Sequence, residues 1–188
     1  MAAVFFALLA LTALVGSLLL LVLQVSARQN PDGPAAGFLD EVVPAALPLA
    51  AVVAAVSMFG SLYFSEVLDF IPCELCWYQR IAMYPMAPML GIAAVRGDIG
   101  IRRYAWVLSV SGALIAAYHY TIEWLPNLEV TTCSTEVPCT AVWVREFGFV
   151  SIPFMALSGF IAITILLHVA TRVRATDDSE TPVKEVVQ

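Results

Sequence analysis

The chain has 188 residues, 61% of them hydrophobic and only 13% charged, about half the charged share of a soluble domain. That much apolar surface needs a bilayer as a second solvent. With 9 basic against 15 acidic residues and a net charge of −6, nucleic-acid binding is excluded, because phosphates demand a basic face.

Crossing ~30 Å of hydrocarbon takes about 20 helical residues, and the apolar runs fall out in chain order. The first, Ala2 to Val25, has no charge. A break from Ser26 to Glu41 follows, with Asn30, Pro31, Asp32, Gly33 and Pro34 as turn formers. The second run goes from Val42 to about Leu68 and stops before Pro72 and Cys73. The third, about Trp77 to Val95, contains Pro85 and Pro88 as expected kink sites. A short basic loop, residues 96–103, leads to the fourth run, Tyr104 to Trp124. A polar segment, Leu125 to Val150, precedes the fifth run, Ser151 to about Thr171, and a charged tail closes the chain. Runs this long without alternation are helices, since a barrel strand needs only about 10 residues and alternates. Helices also satisfy their own backbone in lipid. The expected fold is an all-α integral membrane protein: an additional N-terminal transmembrane helix (1–26), a four-helix transmembrane bundle (42–173) and a disordered tail (174–188).

Basic residues set the orientation. Arg96, Arg102 and Arg103 lie between runs three and four, and Arg172, Arg174 and Lys184 follow run five. Both segments are therefore expected on the cytoplasmic side, leaving the loop after run two and residues 125–150 outside. Val25-Ser26-Ala27 resembles a signal-peptidase site, but the first run lacks a basic n-region and is long for a signal core. Its removal would also turn the arginine loop outward. A retained helix with its N-terminus outside is expected.

The four cysteines all fall in or beside breaks between runs, as two closely spaced pairs. The first pair lies in Pro72-Cys73-Glu74-Leu75-Cys76-Trp77-Tyr78-Gln79-Arg80. A helix starting near Pro72 puts Cys73 and Cys76 at its N-terminus, where unpaired N–H groups and the dipole stabilise a thiolate. Arg80, four residues after Cys76, shares its face one turn deeper. An arginine at that depth needs a partner; a quinone carbonyl qualifies, and the cation would also favour a Cys76 thiolate. Zinc is the competing use of CxxC, but Cys133 and Cys139 are spaced too widely for a zinc knuckle. Covalent haem needs CxxCH, and Trp77 stands in the histidine's place. A structural disulfide suits Cys133–Cys139 better than Cys73–Cys76, whose tiny loop constrains little. Arg80 as a snorkelling anchor is the bland alternative. Tyr118, His119 and Tyr120 sit in the outer half of run four, where one of them is placed to donate to a quinone oxygen or to bond between helices. Trp77 fits an interfacial belt or a pocket wall. Met83, Met86 and Met89 read as packing.

The string from Ser61-Leu62-Tyr63-Phe64 through Pro72-Cys73-Glu74-Leu75-Cys76-Trp77-Tyr78-Gln79-Arg80 to Pro85 resembles the disulfide bond formation protein B (DsbB) family in its shorter BdbC-like form, over roughly residues 44–173. The resemblance implies a four-helix bundle, a quinone (ubiquinone or menaquinone) as cofactor and a DsbA-like thioredoxin-fold partner. Carried over by position, Cys76 would contact the quinone beside Arg80, with Trp77, His119 and Tyr120 as further candidates around it. Cys133 would take the partner's attack, Cys139 would resolve it, and Cys73 would exchange with Cys139. No metal is expected. The run Met1 to Val25 has no counterpart in the family core, and the Cys133–Cys139 loop is shorter than in enterobacterial members. Two alternatives stand beside this reading. One is a vitamin K epoxide reductase-like enzyme, in which the CxxC follows the loop cysteines instead of preceding them. The other is a non-enzymatic membrane protein with two structural disulfides.

Overall fold

The computed structural model describes residues 1–130, 133 and 136–171; the expected tail, 174–188, lies outside them. Five helices account for the apolar runs: α1 (Ala2–Gln29), α2 (Pro34–Glu66), α3 (Glu74–Arg96), α4 (Arg102–Trp124) and α5 (Ile152–Val169), with no named strand among the described residues. The protein is an all-α multi-pass membrane protein. α1, α2, α5 and α4 with its preceding 3-10 turn are long and apolar enough to span a bilayer. α3 has the length, 23 residues, but Glu74, Gln79 and Arg80 dilute its N-terminal half. Its place in the bundle comes from packing between α2 and α4.

α2, α3, α4 and α5 form a closed ring in which α2 also touches α5, and α1 lies in the groove between α2 and α5. Apolar lipid does not squeeze helices together, so close backbone approach has to supply the packing. Small residues do this here: Ala46, Ala50 and Ala54 recur every fourth residue on α2, all fully buried. Gly112 of α4 accommodates the Phe160 ring of α5, where a Cβ would collide. α3 ends at Gly97 in the left-handed region (φ 65°), with the Asp98 N–H returning to the Ala93 carbonyl, a C-cap that glycine adopts without strain.

The segment expected to form a loop from Ser26 to Glu41 is mostly helical. α1 continues to Gln29 and α2 starts at Pro34, its first-turn proline, after an extended Gly33. The first turns of α2 are amphipathic: Ala36 and Leu39 pack with Ala27 of α1, while Asp40 and Glu41 face solvent. At 33 residues α2 is about 50 Å long, so this end projects beyond the hydrocarbon. Pro44 and Pro48 lie within α2, and Pro85 and Pro88 within α3, without ending either helix.

Relative orientation follows from contacts. Phe6, near the start of α1, meets Phe64 at the end of α2 (ring centroids 5.4 Å), and Arg28, at the other end, meets His168 at the end of α5 (3.1 Å). The N-terminus of α1 is therefore at the bundle end that carries both cysteine pairs. Arg96, Arg102 and Arg103 are at the opposite end.

Candidate redox site

Cys73 is the N-cap of α3. It has extended backbone, and its sulfur accepts the Cys76 N–H at 3.4 Å, one of the otherwise unpaired donors of a helix start. The Cys73 and Cys76 sulfurs are free thiols 3.1 Å apart. Cys133 and Cys139 form a disulfide. The arrangement is thus a dithiol on a helix end beside a disulfide on a loop.

His119 of α4 joins the two. It is almost fully buried (2% exposed). Gln79, one turn below Cys76, donates its amide N–H to Nδ1 (3.0 Å), which leaves the imidazole proton on Nε2. Nε2 then faces the Cys139 carbonyl at 3.0 Å and the Cys73 sulfur at 3.7 Å. Cys73, Cys139, Leu75 and Ile122 form one buried cluster, with Cys76 and Cys133 packed against it. The thiol of Cys76, donating to Cys73, is the main cause that holds the Cys73 pKa down to about 4; burial opposes it and the His119 hydrogen bond assists. These contacts lower the Cys73 thiol, whereas the position of Arg80 in the sequence favours a thiolate on Cys76. The cap position and the imidazole both address Cys73.

On the other side of Cys76 is a cavity of about 440 Å³. Cys76, Gln79 and Arg80 mark its polar end, and α1, α2 and α5 supply mainly apolar walls. Arg80 donates to the Ser61 carbonyl of α2 (3.2 Å), with its guanidinium 5.3 Å from the Trp77 ring centroid and 5.9 Å from that of Tyr84. Tyr84 donates to the Ser61 hydroxyl (3.2 Å). Stacked aromatic rings, Phe64 on Phe70 and Phe70 on Trp143, cover the outer end. Of the sequence candidates for quinone contact, Cys76 and Arg80 reach this cavity. Trp77 lies outside it, half exposed. His119 is on the cysteine side, and Tyr120 turns away to donate to the Phe149 carbonyl (3.0 Å).

Two residues at the site went unassigned in the sequence. Gln79 is buried in an otherwise apolar helix, itself a signal that it has a partner. Glu123, one turn beyond His119, accepts a hydrogen bond from Ser151 at the start of α5 and so ties α4 to α5. Cys73, Cys76 and His119 also bring three metal-ligating atoms within 4.8 Å of one another. A dithiol hydrogen-bonded to an imidazole accounts for the same closeness.

Comparison with known proteins meets this geometry. The family model described as "Disulfide bond formation protein DsbB" matches residues 44–170, which spans the α2–α5 ring and both cysteine pairs. The chain belongs to the DsbB family. Disulfide bond formation protein C of Bacillus subtilis is 47% identical over 117 residues, covering 62% of this chain and 85% of that protein. A probable disulfide formation protein of Oceanobacillus iheyensis is 43% identical over 117 residues, covering 61% and 81%. One from Halalkalibacterium halodurans is 44% identical over 110 residues, covering 58% and 80%. No solved structure matches. This DsbB-family chain is thus a membrane oxidoreductase of disulfide formation, and α1 stands outside the matched region.

Proposed function

We propose that the chain is a membrane thiol oxidase that reoxidises a DsbA-like thioredoxin-fold partner and passes the electrons through Cys133/Cys139 and then Cys73/Cys76 to a membrane quinone. The observation that supports it most strongly is the position of the Cys73–Cys76 dithiol. It stands between the Cys139 segment, reached through His119, and the cavity at Cys76 and Arg80.

In the first exchange a partner thiolate attacks Cys133. An S–S bond forms to the partner and the Cys133–Cys139 bond breaks, leaving its electrons on Cys139. The partner's second thiolate then closes its own disulfide and releases Cys133. In the second exchange the Cys139 thiolate attacks an oxidised Cys73–Cys76 pair, Cys133 resolves the mixed disulfide, and Cys73/Cys76 becomes the dithiol. At each exchange one dithiol is oxidised and one disulfide is reduced. Lastly Cys73 and Cys76 close their S–S bond and give up two electrons and two protons. A quinone held at Cys76 and Arg80 would supply the two-electron, two-proton acceptor.

The cavity suits such a ligand. It is apolar over most of its wall, has a volume within the ~300–1,000 Å³ of small-molecule sites, and ends in a guanidinium able to bond a carbonyl oxygen. Cys76 is the sulfur at its wall, and the Cys73 thiolate, 3.1 Å behind it, is placed to close the disulfide as electrons leave through Cys76. Cysteines of this kind need an oxidising compartment, so the end with both pairs is assigned to the extracytoplasmic side and the arginine loop to the cytoplasm. The core unit is residues 42–173, with 1–26 as an added helix and 174–188 as a tail.

Purified protein supplied with a reduced thioredoxin-fold partner and quinone, without oxygen, should lose quinone absorbance in proportion to partner disulfide formed. Partner oxidation without quinone loss would remove the quinone from the pathway.

A further inference from the structure

We infer that α1, the helix outside the DsbB-family match, is a working wall of the quinone site and holds the first part of the isoprenoid tail. This rests on the quinone reading of the cavity above. Three observations carry it.

First, Phe6, Leu9, Ala10 and Ala13 all line the cavity that contains Cys76 and Arg80. Their spacing of i, i+3, i+4 and i+7 makes one helix stripe, so α1 presents a single continuous face to it. Second, the stripe behaves differently at its two ends. Further along α1, Ser17, Gln24 and Ala27 continue the same face and are closed off by protein. At the cavity level the stripe includes two alanines, Ala10 and Ala13, whose small side chains leave space between α1 and α2. Phe6 fixes the outer end: its ring sits so close over Gly60 of α2 that a Cβ there would meet it at 2.8 Å. Phe6 thus ties α1 to α2 at one end of the cavity that both helices line.

Third, the cavity is longer than a ring. On α2 it runs from Ser61, level with Arg80, to Val52, nine residues or about 14 Å along the axis. Gln79, Arg80, Ser61 and Tyr84 cluster at one end, and the deeper walls are mainly Val52, Val53 and Val56 of α2 with Leu9, Ala10 and Ala13 of α1; Ser57 and Thr12 add hydroxyls there, that of Thr12 bonded to the Leu9 carbonyl of its own helix. A head group seated at Cys76 and Arg80 leaves this deeper, mainly apolar part for a hydrocarbon chain attached to it.

The test uses the intact protein in lipid with ubiquinone and menaquinone analogues that carry a photoreactive group on the second isoprene unit. Labelled peptides are mapped by mass spectrometry. Saturable label within residues 6–13 is the expected result. Alongside it, Ala10→Trp should raise KM for long-tailed quinone at least about tenfold, the scale of a misfit in an apolar pocket. Its single-turnover exchange with a reduced partner should not change, and Val15→Trp, on the lipid-facing side of α1, should leave both values alone. Label confined to α2, α3 and α5, with Ala10→Trp at the wild-type KM, would overturn the role of α1 and leave the oxidase intact. Absence of saturable label together with no quinone reduction by the wild type would overturn both.

Discussion

The two cysteine pairs solve opposite problems. Cys73 caps α3 and Cys76 lies on its first turn, with one sulfur contacted by backbone and imidazole and the other facing a mainly apolar cavity. Cys133 and Cys139 are joined as a disulfide on the connection between α4 and α5, where the Cys139 carbonyl meets His119. A fixed pair suits electron transfer to a small molecule, where a misplacement of 1 Å is costly. A pair on a loop suits exchange with another protein, where a disulfide sulfur must be presented to an incoming thiolate. The difference teaches that position on the scaffold, not cysteine spacing alone, distinguishes the two pairs.

That contrast is open to attack at several points. The largest effect is expected from Cys76→Ser, which should reduce quinone turnover to background while Cys133–Cys139 still forms, as read by quinone absorbance and non-reducing mass mapping. His119→Leu should come next. Loss of the imidazole that faces both pairs should slow partner oxidation about 10²-fold, the scale of a lost acid–base group, with quinone KM unchanged in steady-state titration. Arg80→Ala should do the reverse: KM for quinone rises about tenfold, as for the loss of one charge-assisted hydrogen bond, with single-turnover exchange unaffected. The smallest change is a flat line. Because the Cys73 thiol is held down to about 4, its thiolate is present at every pH above that value. Alkylation of Cys73 in the reduced protein should therefore vary less than about twofold from pH 8 to pH 5 and fall only as pH drops through about 4. An ordinary thiol, with a pKa of about 8.5, would lose about tenfold per pH unit over the same range. In His119→Leu the fall should move to higher pH.

Much of this was legible beforehand. The five helices follow from uninterrupted apolar runs, and Pro72-Cys73-Glu74-Leu75-Cys76 marks a helix start carrying thiols. The junction of α1 and α2 was hidden by its own punctuation. Asn30, Pro31, Gly33 and Pro34 read as a long loop, yet Pro34 begins a helix, and Asp40 and Glu41 are only its solvent face. The role of His119 against Tyr120 was equally hidden. Adjacent helical residues point about 100° apart, and only the packing of α4 on α3 decides which of them meets the cysteines. The charge on Cys73 depends on that same packing. From sequence alone Arg80 is the obvious cation, whereas Cys73 is lowered first by the Cys76 thiol and then by an imidazole from 46 residues away. The cavity wall on α1 has no local signature at all, since two alanines in an apolar helix look like ordinary packing.

The relay between the pairs is tested most directly by leaving one cysteine in each. In the double variant Cys76→Ser, Cys133→Ser, treated with a mild oxidant such as diamide, Cys73 and Cys139 should join within one chain, giving a cross-linked peptide pair under non-reducing mass spectrometry. Two thiols that stay separately alkylatable after that treatment would contradict direct exchange between them.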